Sequence, residues 1–146
     1  MKTSDKPVVV KQGFNVSLDV LWKAITEKEQ MVQWFFEDIP DFKPEVGFRT
    51  RFVVKNEGRT FPHLWKVMES DPRKVITLNW RYEGYEGDSL VRFELSGEGK
   101  HSHLILSHRV IQDFPQDIPE FTRESCEMGW NWFINKSLKE HLEKEF

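Results

Sequence analysis

Two segments decide the fold: the strand-like Leu104-Ile105-Leu106-Ser107-His108 and the long amphipathic run from Gly129-Trp130 to Leu142. The first has the two-residue period of a strand, and the second has the three-to-four-residue period of a helix. A chain that ends in an aromatic-rich helix after several strands must bury that helix, and the inner face of the sheet is the largest surface available. If the sheet curls around the helix, a cavity remains between them, and we expect the function to reside there.

The composition fits one domain over residues 1–146. Hydrophobic residues make up 38% of the chain and charged residues make up 31%. Twelve Phe, six Trp and two Tyr offset the low apolar content, because large rings bury much apolar area per residue. A modest number of apolar positions can therefore still build a core.

The charge pattern and the N-terminal sequence exclude several classes of protein. With a net charge of −3 and only scattered basic residues, the chain has no patch that would attract nucleic acid. The single Cys126 can form neither an intramolecular disulfide nor a thiolate zinc site by itself. The first residues lack the apolar segment of a signal peptide, and no apolar stretch approaches membrane-spanning length. We therefore expect a cytoplasmic protein without membrane insertion.

The periodicity changes along the chain and predicts an α+β element order. The predicted strands cover residues 8–16, 46–55, 60–70, 75–82, 90–95 and 101–110, and the predicted helices cover residues 18–26, 28–36 and 119–144. Short turns between the last five strands predict an antiparallel meander, since parallel pairing needs long crossovers.

A set of aromatic and apolar side chains is predicted to face inward from the sheet and the last helix. These candidate ligand-binding residues are Phe52, His63, Trp65, Trp80, Phe93, His108, Trp130 and Ile134. They either line a pocket for an apolar or flat ligand, with indole N–H groups as donors, or simply fill the core. Trp34 and Phe35, at the end of the second predicted helix, are the candidate gate because clustered exposed aromatics need a partner.

His108 is the most informative polar position, because strand alternation places it inside beside Leu106 and Val110. It is either a ligand contact or proton shuttle, or a core histidine bonded to a neighbouring side chain. His101 and His103 share a face that points to solvent, so no metal site is expected. The chain shows no phosphate-binding glycine loop and no Ser-His-Asp pattern, and neither a cofactor nor a catalytic residue is predicted.

Motifs across almost the whole chain resemble one superfamily. They are Leu21-Trp22-Lys23-Ala24-Ile25-Thr26, Gln33-Trp34-Phe35, Val46-Gly47-Phe48, Val67-Met68-Glu69-Ser70-Asp71-Pro72, Ile76-Thr77-Leu78-Asn79-Trp80, Leu104-Ile105-Leu106-Ser107-His108 and Gly129-Trp130. In this order they resemble the helix-grip fold of the START and birch-pollen-allergen (SRPBCC) superfamily. More narrowly, they resemble small bacterial proteins related to the C-terminal domain of the heat-shock chaperone ATPase activator (AHSA-like).

The resemblance implies a curved six-stranded antiparallel sheet wrapped around a long C-terminal helix, with two short helices between strands 1 and 2. It also implies a small residue on the third strand where this chain has Trp65, so we expect a smaller or reshaped cavity. The separate N-terminal module of full chaperone activators has no counterpart in this sequence.

The function predicted from these observations is binding of a small apolar or aromatic ligand in the internal cavity, without evident catalysis. Two alternatives remain open, because folds of this kind support several functions. One is a chaperone-associated interaction module, and the other is a cyclase-like or dehydratase-like enzyme that uses the cavity. The expected partner is a small apolar molecule or a chaperone, and the chain is expected to be a monomer or a homodimer.

Overall fold

The computed structural model describes residues 1–145, which form six strands and a series of helices. The strands are β1 (Val8–Phe14), β2 (Arg49–Asn56), β3 (Arg59–Asp71), β4 (Val75–Tyr82), β5 (Asp88–Glu98) and β6 (His101–Gln112). Two short helices, α1 (Leu18–Thr26) and α2 (Lys28–Trp34), lie between β1 and β2. The predicted bounds of α1 and β4 agree with the structure, whereas β5 is longer than predicted at both ends.

The six strands form one antiparallel sheet in the order β1-β6-β5-β4-β3-β2. The predicted meander from β2 to β6 is confirmed, and β1 joins it by pairing with β6. Across β3 and β4, His63 is opposite Tyr82 and Trp65 is opposite Trp80. Across β5 and β6, Val91 is opposite His108. Because side chains alternate along a strand, this register brings these residues to the inner face of the sheet.

Three consecutive segments form one long C-terminal helix: α3 (Arg123–Trp130), a π-helical stretch (Asn131–Leu138) and α4 (Lys139–Glu145). The hydroxyl of Thr122 caps its first turn by accepting a hydrogen bond from the backbone N–H of Ser125 at 3.2 Å. A short 3₁₀ turn at Pro119–Phe121 precedes it.

One side of the C-terminal helix is buried against the inner face of the curved sheet, as predicted. Trp130, Ile134, Leu138 and Leu142 make up this side, and each is at most 4% exposed. The spacing of four residues keeps them on one side of the helix. The predicted helix-grip arrangement is therefore confirmed, with α1 and α2 between the first two strands.

The buried residues form two clusters. The main cluster joins the inner faces of the strands to α1, α2 and the C-terminal helix. A second, smaller cluster consists of Phe61, Val110, Phe114 and Phe121, with Tyr82 packed between the two. An apolar pocket lies at the boundary between the two clusters.

Candidate functional site

A cavity of about 410 Å³ lies between the inner face of the sheet and the C-terminal helix. Its volume falls in the range of pockets that hold small molecules. Aromatic rings from both clusters form most of its wall: Phe36, Phe61, Trp80, Phe121, Trp130 and Phe133. Gly129 contributes a stretch of helix without a side chain, and a Cβ placed there would meet no atom within 4 Å.

Four of the eight predicted ligand-binding residues line this cavity: His63, Trp80, His108 and Trp130. The other four, Phe52, Trp65, Phe93 and Ile134, are buried behind the wall in the main cluster. Strand alternation placed the six strand residues on the inner face of the sheet, and helical periodicity placed Trp130 and Ile134 on the buried side of the helix. Neither pattern says which residues face a cavity and which are covered by other side chains.

Trp65 shows why the central part of the interior is filled. Its ring is 2% exposed and packs at centroid distances of 4.8 Å from Phe52, 4.9 Å from Trp80 and 5.5 Å from Phe35. The bulky indole thus occupies the space between sheet and helix at mid-sheet. The open space remains at the end where the second cluster lies.

The two predicted gate residues are buried and not exposed as the sequence suggested. Trp34 is 1% exposed, and its indole N–H donates a hydrogen bond to the backbone carbonyl of Ala24 at 2.7 Å. Phe35 stacks on it with a centroid distance of 4.7 Å. Their neighbour Phe36 lines the cavity instead. A gating role for Trp34 and Phe35 stays a prediction.

The indole N–H groups were expected to donate hydrogen bonds to a ligand, but most of them donate to protein atoms. Trp80 Nε1 donates to the hydroxyl of Tyr82 at 2.8 Å, and Trp130 Nε1 donates to His108 Nδ1 at 2.9 Å. Trp65 Nε1 is buried and has no acceptor among residues 1–145, but it lies outside the cavity wall. Polar contacts to a ligand must therefore come from other groups.

His108 is held by partners on both sides of its ring. Ser89 Oγ donates its hydrogen to the carbonyl of Trp80, so it accepts from His108 Nε2, which lies 2.9 Å away. Because Nδ1 accepts from Trp130, the ring is the neutral tautomer with hydrogen on Nε2. Burial lowers the pKa of His108 to about 4 and favours this neutral form.

His63 has one bonded and one open nitrogen. Its Nδ1 lies 2.9 Å from the carbonyl of Phe61, and a carbonyl can only accept, so Nδ1 carries the hydrogen. Burial lowers the pKa of His63 to about 4, although the bond to Phe61 opposes this shift. The ring is therefore neutral near pH 7, and its Nε2 is a hydrogen-bond acceptor. No residue in the described part of the chain donates to it.

Tyr82 and Cys126 also lie in the wall, and both are neutral. Burial raises the pKa of the Tyr82 hydroxyl well above its ordinary value and that of the Cys126 thiol to about 12. The sulfur of Cys126 is 3.5 Å from His108 Nδ1. Since only a thiolate is a strong nucleophile, this half-buried cysteine acts as an uncharged group near neutral pH.

The cavity has a polar edge formed by the 3₁₀ turn and the β2–β3 hairpin. Glu120 accepts hydrogen bonds from Arg59 at 2.8 Å and from Asn56 at 2.8 Å. The bond from Arg59 is the main reason that the pKa of Glu120 lies below its ordinary value. Glu120 is the one charged side chain that the described residues contribute to the lining.

Tyr82, Phe114 and Phe121 line the cavity and were not among the predicted site residues. Tyr82 lies two residues after Trp80 on β4, so the alternation of side chains along a strand could have predicted that it faces the cavity. Phe114 and Phe121 follow β6 and precede the C-terminal helix, where no periodic pattern indicates which way a side chain points. Their position depends on the docking of that segment.

The described residues offer no metal centre and no membrane-spanning helix. His101 and His103 are exposed, and in residues 1–145 no three His, Cys, Asp or Glu side chains lie close enough to hold a metal ion. Among the described helices, none combines the length and apolarity needed to cross a bilayer.

Several solved structures share this fold. Protein MLL2253 from Mesorhizobium loti is 23% identical, with a TM-score of 0.75 over 97% of this chain and 99% of that chain. Mll3558 from Rhizobium loti is 17% identical, with a TM-score of 0.76 over 97% and 96% of the two chains. The Aha1 dimer from Colwellia psychrerythraea is 19% identical, with a TM-score of 0.70 over 95% and 97%. At these identities the similarity shows the fold alone.

Sequence comparison identifies the family and not only the fold. No curated protein matches the chain in sequence. The profile of one family, described as Activator of Hsp90 ATPase homolog 1-like protein, matches residues 15–143. This range includes α1, α2, five of the six strands and most of the C-terminal helix. The chain therefore belongs to the family of Activator of Hsp90 ATPase homolog 1-like proteins.

Proposed function

We propose that this protein binds a small, mainly apolar molecule in the cavity between the sheet and the C-terminal helix. The observation that carries the proposal is a pocket of about 410 Å³ that reaches from the surface between the sheet and the C-terminal helix and is lined largely by aromatic rings. Its volume and its largely aromatic lining match those of pockets that hold small apolar ligands.

Binding would be driven mainly by the hydrophobic effect. Rings such as Trp80, Trp130 and Phe121 would lose contact with water when a ligand fills the space, at roughly 25 cal/mol per Å² of apolar surface buried. Catalysis by His108 is not part of the proposal, because both ring nitrogens bind Ser89 and Trp130.

A cavity-filling substitution tests the proposal. Native mass spectrometry of the freshly purified protein, followed by extraction, should reveal a retained apolar molecule, or a screen of small aromatic compounds should give one that binds. Gly129→Leu, whose new side chain would enter the cavity, should abolish binding. Met128→Leu is the matched control, since Met128 is 69% exposed on the same helix and its exchange should leave binding unchanged.

Two results would contradict the proposal. One is the absence of any retained molecule together with no binding of any compound in the screen. The other is a ligand that binds Gly129→Leu and the unaltered protein equally well, because such a ligand occupies a different place.

A second candidate function is docking onto a chaperone, which the family name suggests. The outer face of the sheet carries a shallow groove with a basic lining that would suit an acidic partner surface, formed by Arg49, Arg51, Lys66 and Arg81. Capture of purified Hsp90 by this protein, and loss of capture in Lys66→Glu with Arg81→Glu, would support this role. No capture and no change in the chaperone's ATPase rate would exclude it.

A further inference from the structure

Two polar atoms in the cavity wall have hydrogen-bonding capacity that no described residue uses. His63 Nε2 can accept a hydrogen bond, and the hydroxyl of Tyr82 can donate one because its oxygen already accepts from Trp80. Within residues 1–145 neither atom finds a complementary group for this remaining capacity. A ligand that displaces solvent from these atoms must pair with them or lose their hydrogen bonds, so each atom favours a ligand that pairs with it.

The register places these two residues side by side. His63 on β3 and Tyr82 on β4 are direct cross-strand partners, and their ring centroids are 4.7 Å apart with an interplanar angle of 79°. Both rings line the cavity. The open acceptor and the open donor therefore belong to one small patch of an otherwise aromatic wall.

The surroundings of this patch discriminate among polar groups. A carboxylate would face the lone pair of His63 and could not donate to it. Among the described residues the charged groups of the lining are Glu120, which is itself negative, and the N-terminal ammonium of Met1, which already donates to the carbonyl of Phe121 at 2.6 Å. A protonated amine could donate to His63 but has no lone pair for the Tyr82 hydroxyl. A neutral hydroxyl group on the ligand satisfies both, because it donates through its hydrogen and accepts through its oxygen.

We propose that the cavity selects apolar ring compounds that carry a hydroxyl group, which donates to His63 Nε2 and accepts from the Tyr82 hydroxyl. This inference rests on the proposed function, since it names the class of molecule that the same cavity takes. The rest of the ligand packs against apolar rings and needs no further polar group; these rings include Trp80, Trp130 and Phe121.

Four probes with the same ring system test the inference: 2-naphthol, 2-methoxynaphthalene, naphthalene and 2-naphthoate. Titrations followed by ¹H–¹⁵N chemical shifts give each Kd, and the indole N–H signals of Trp80 and Trp130 show whether binding occurs in the cavity. We expect 2-naphthol to bind at least tenfold more tightly than naphthalene. The methoxy compound, which only accepts, should fall between them, and 2-naphthoate should bind most weakly.

Two substitutions assign the effect to the named atoms. Tyr82→Phe and His63→Phe should each reduce the advantage of 2-naphthol over naphthalene by about threefold to tenfold, the range for one hydrogen bond. Naphthalene itself should bind both variants much as it binds the unaltered protein. Tyr85→Phe is the matched control, because this tyrosine lies outside the cavity wall and its hydroxyl donates to the carbonyl of Thr60.

The outcomes separate this inference from the proposed function. Equal Kd values for 2-naphthol and naphthalene, or tightest binding of 2-naphthoate, would overturn the hydroxyl selectivity while leaving ligand binding intact. An advantage of 2-naphthol that survives in both variants would also overturn it. If none of the four probes shifts the cavity signals, the hydroxyl selectivity is overturned, whereas the proposed function is refuted only if the protein also retains no molecule and binds no compound of the wider screen.

Discussion

Two buried histidines in the cavity wall make the stability of this protein depend on pH. Burial lowers the pKa of both His63 and His108 from 6.5 to about 4 in the folded chain. Between these values the unfolded chain binds two more protons than the folded chain, so the free energy of unfolding rises with pH in this range. The stability that these histidines contribute is therefore present above pH 6.5 and is lost progressively as the pH falls towards 4.

The size of the effect follows from the two pKa values. For one histidine that shifts from 6.5 to about 4, lowering the pH from 7 to 5 decreases the free energy of unfolding by about 2 kcal/mol. The two rings together should contribute a decrease of about 4 kcal/mol. This is a large fraction of the roughly 5–15 kcal/mol that stabilises a typical domain.

Urea denaturation at pH 7 and pH 5 measures this loss, and substitutions assign it to the two rings. His63→Gln and His108→Gln should each show a loss about 2 kcal/mol smaller than that of the unaltered protein, whatever their own stability. A His101→Gln variant is the control, since His101 is exposed, and its loss should match that of the unaltered protein. If the histidine variants lose as much stability as the unaltered protein, the two rings are not buried in their neutral form.

Three further substitutions should change stability in ways that urea denaturation can measure. Ile134→Ala removes a fully buried side chain of the C-terminal helix and should cost about 2–5 kcal/mol. Ser89→Ala leaves the buried Nε2–H of His108 without an acceptor and should cost about 1–3 kcal/mol. Gly87→Ala should cost more than about 1 kcal/mol, because Gly87 has φ +115° and its new Cβ would lie 2.3 Å from the ring of Phe114.

Each of these three substitutions has a control substitution at a position that lacks the burial, hydrogen bond or close contact being tested. Met128→Ala truncates an exposed side chain of the same helix, and Ser107→Ala removes a hydroxyl from the neighbouring strand that makes no described hydrogen bond. Gly84→Ala also has a positive φ, but its Cβ would meet nothing within 4 Å. If any control is as destabilising as its partner substitution, the reason given for that substitution is wrong.

The architecture could be predicted because its signals are local. The two-residue period identified the inward faces of β3 to β6, and short turns between strands left antiparallel pairing as the simple solution. Helix α1 begins after Ser17, a residue type that favours helix N-caps, and its hydroxyl accepts a hydrogen bond from the N–H of Val20. Each of these conclusions needs only residues that are close together in the chain.

The roles of the histidines could not be predicted in the same way. Strand alternation predicted that His108 faces inward, but its hydrogen-bond partners come from β5 and from the C-terminal helix. Whether such a histidine contacts a ligand or is satisfied within the core therefore depends on tertiary packing. The same holds for Trp34, whose N–H binds a carbonyl of α1. Sequence periodicity predicts which side of a strand or helix a residue occupies, but it does not predict the residue's hydrogen-bond partner.

The location of the cavity follows from the packing of Trp65. Trp65 fills the middle of the sheet together with Phe35, Phe52 and Trp80, so the space that remains lies towards the second cluster. Its wall there is completed by the segment that links β6 to the C-terminal helix. Replacing Trp65 with a small residue should therefore open a second space at mid-sheet and leave the patch of His63 and Tyr82 in place. Specificity would then still be determined at β3 and β4, even though the larger cavity could hold a longer ligand.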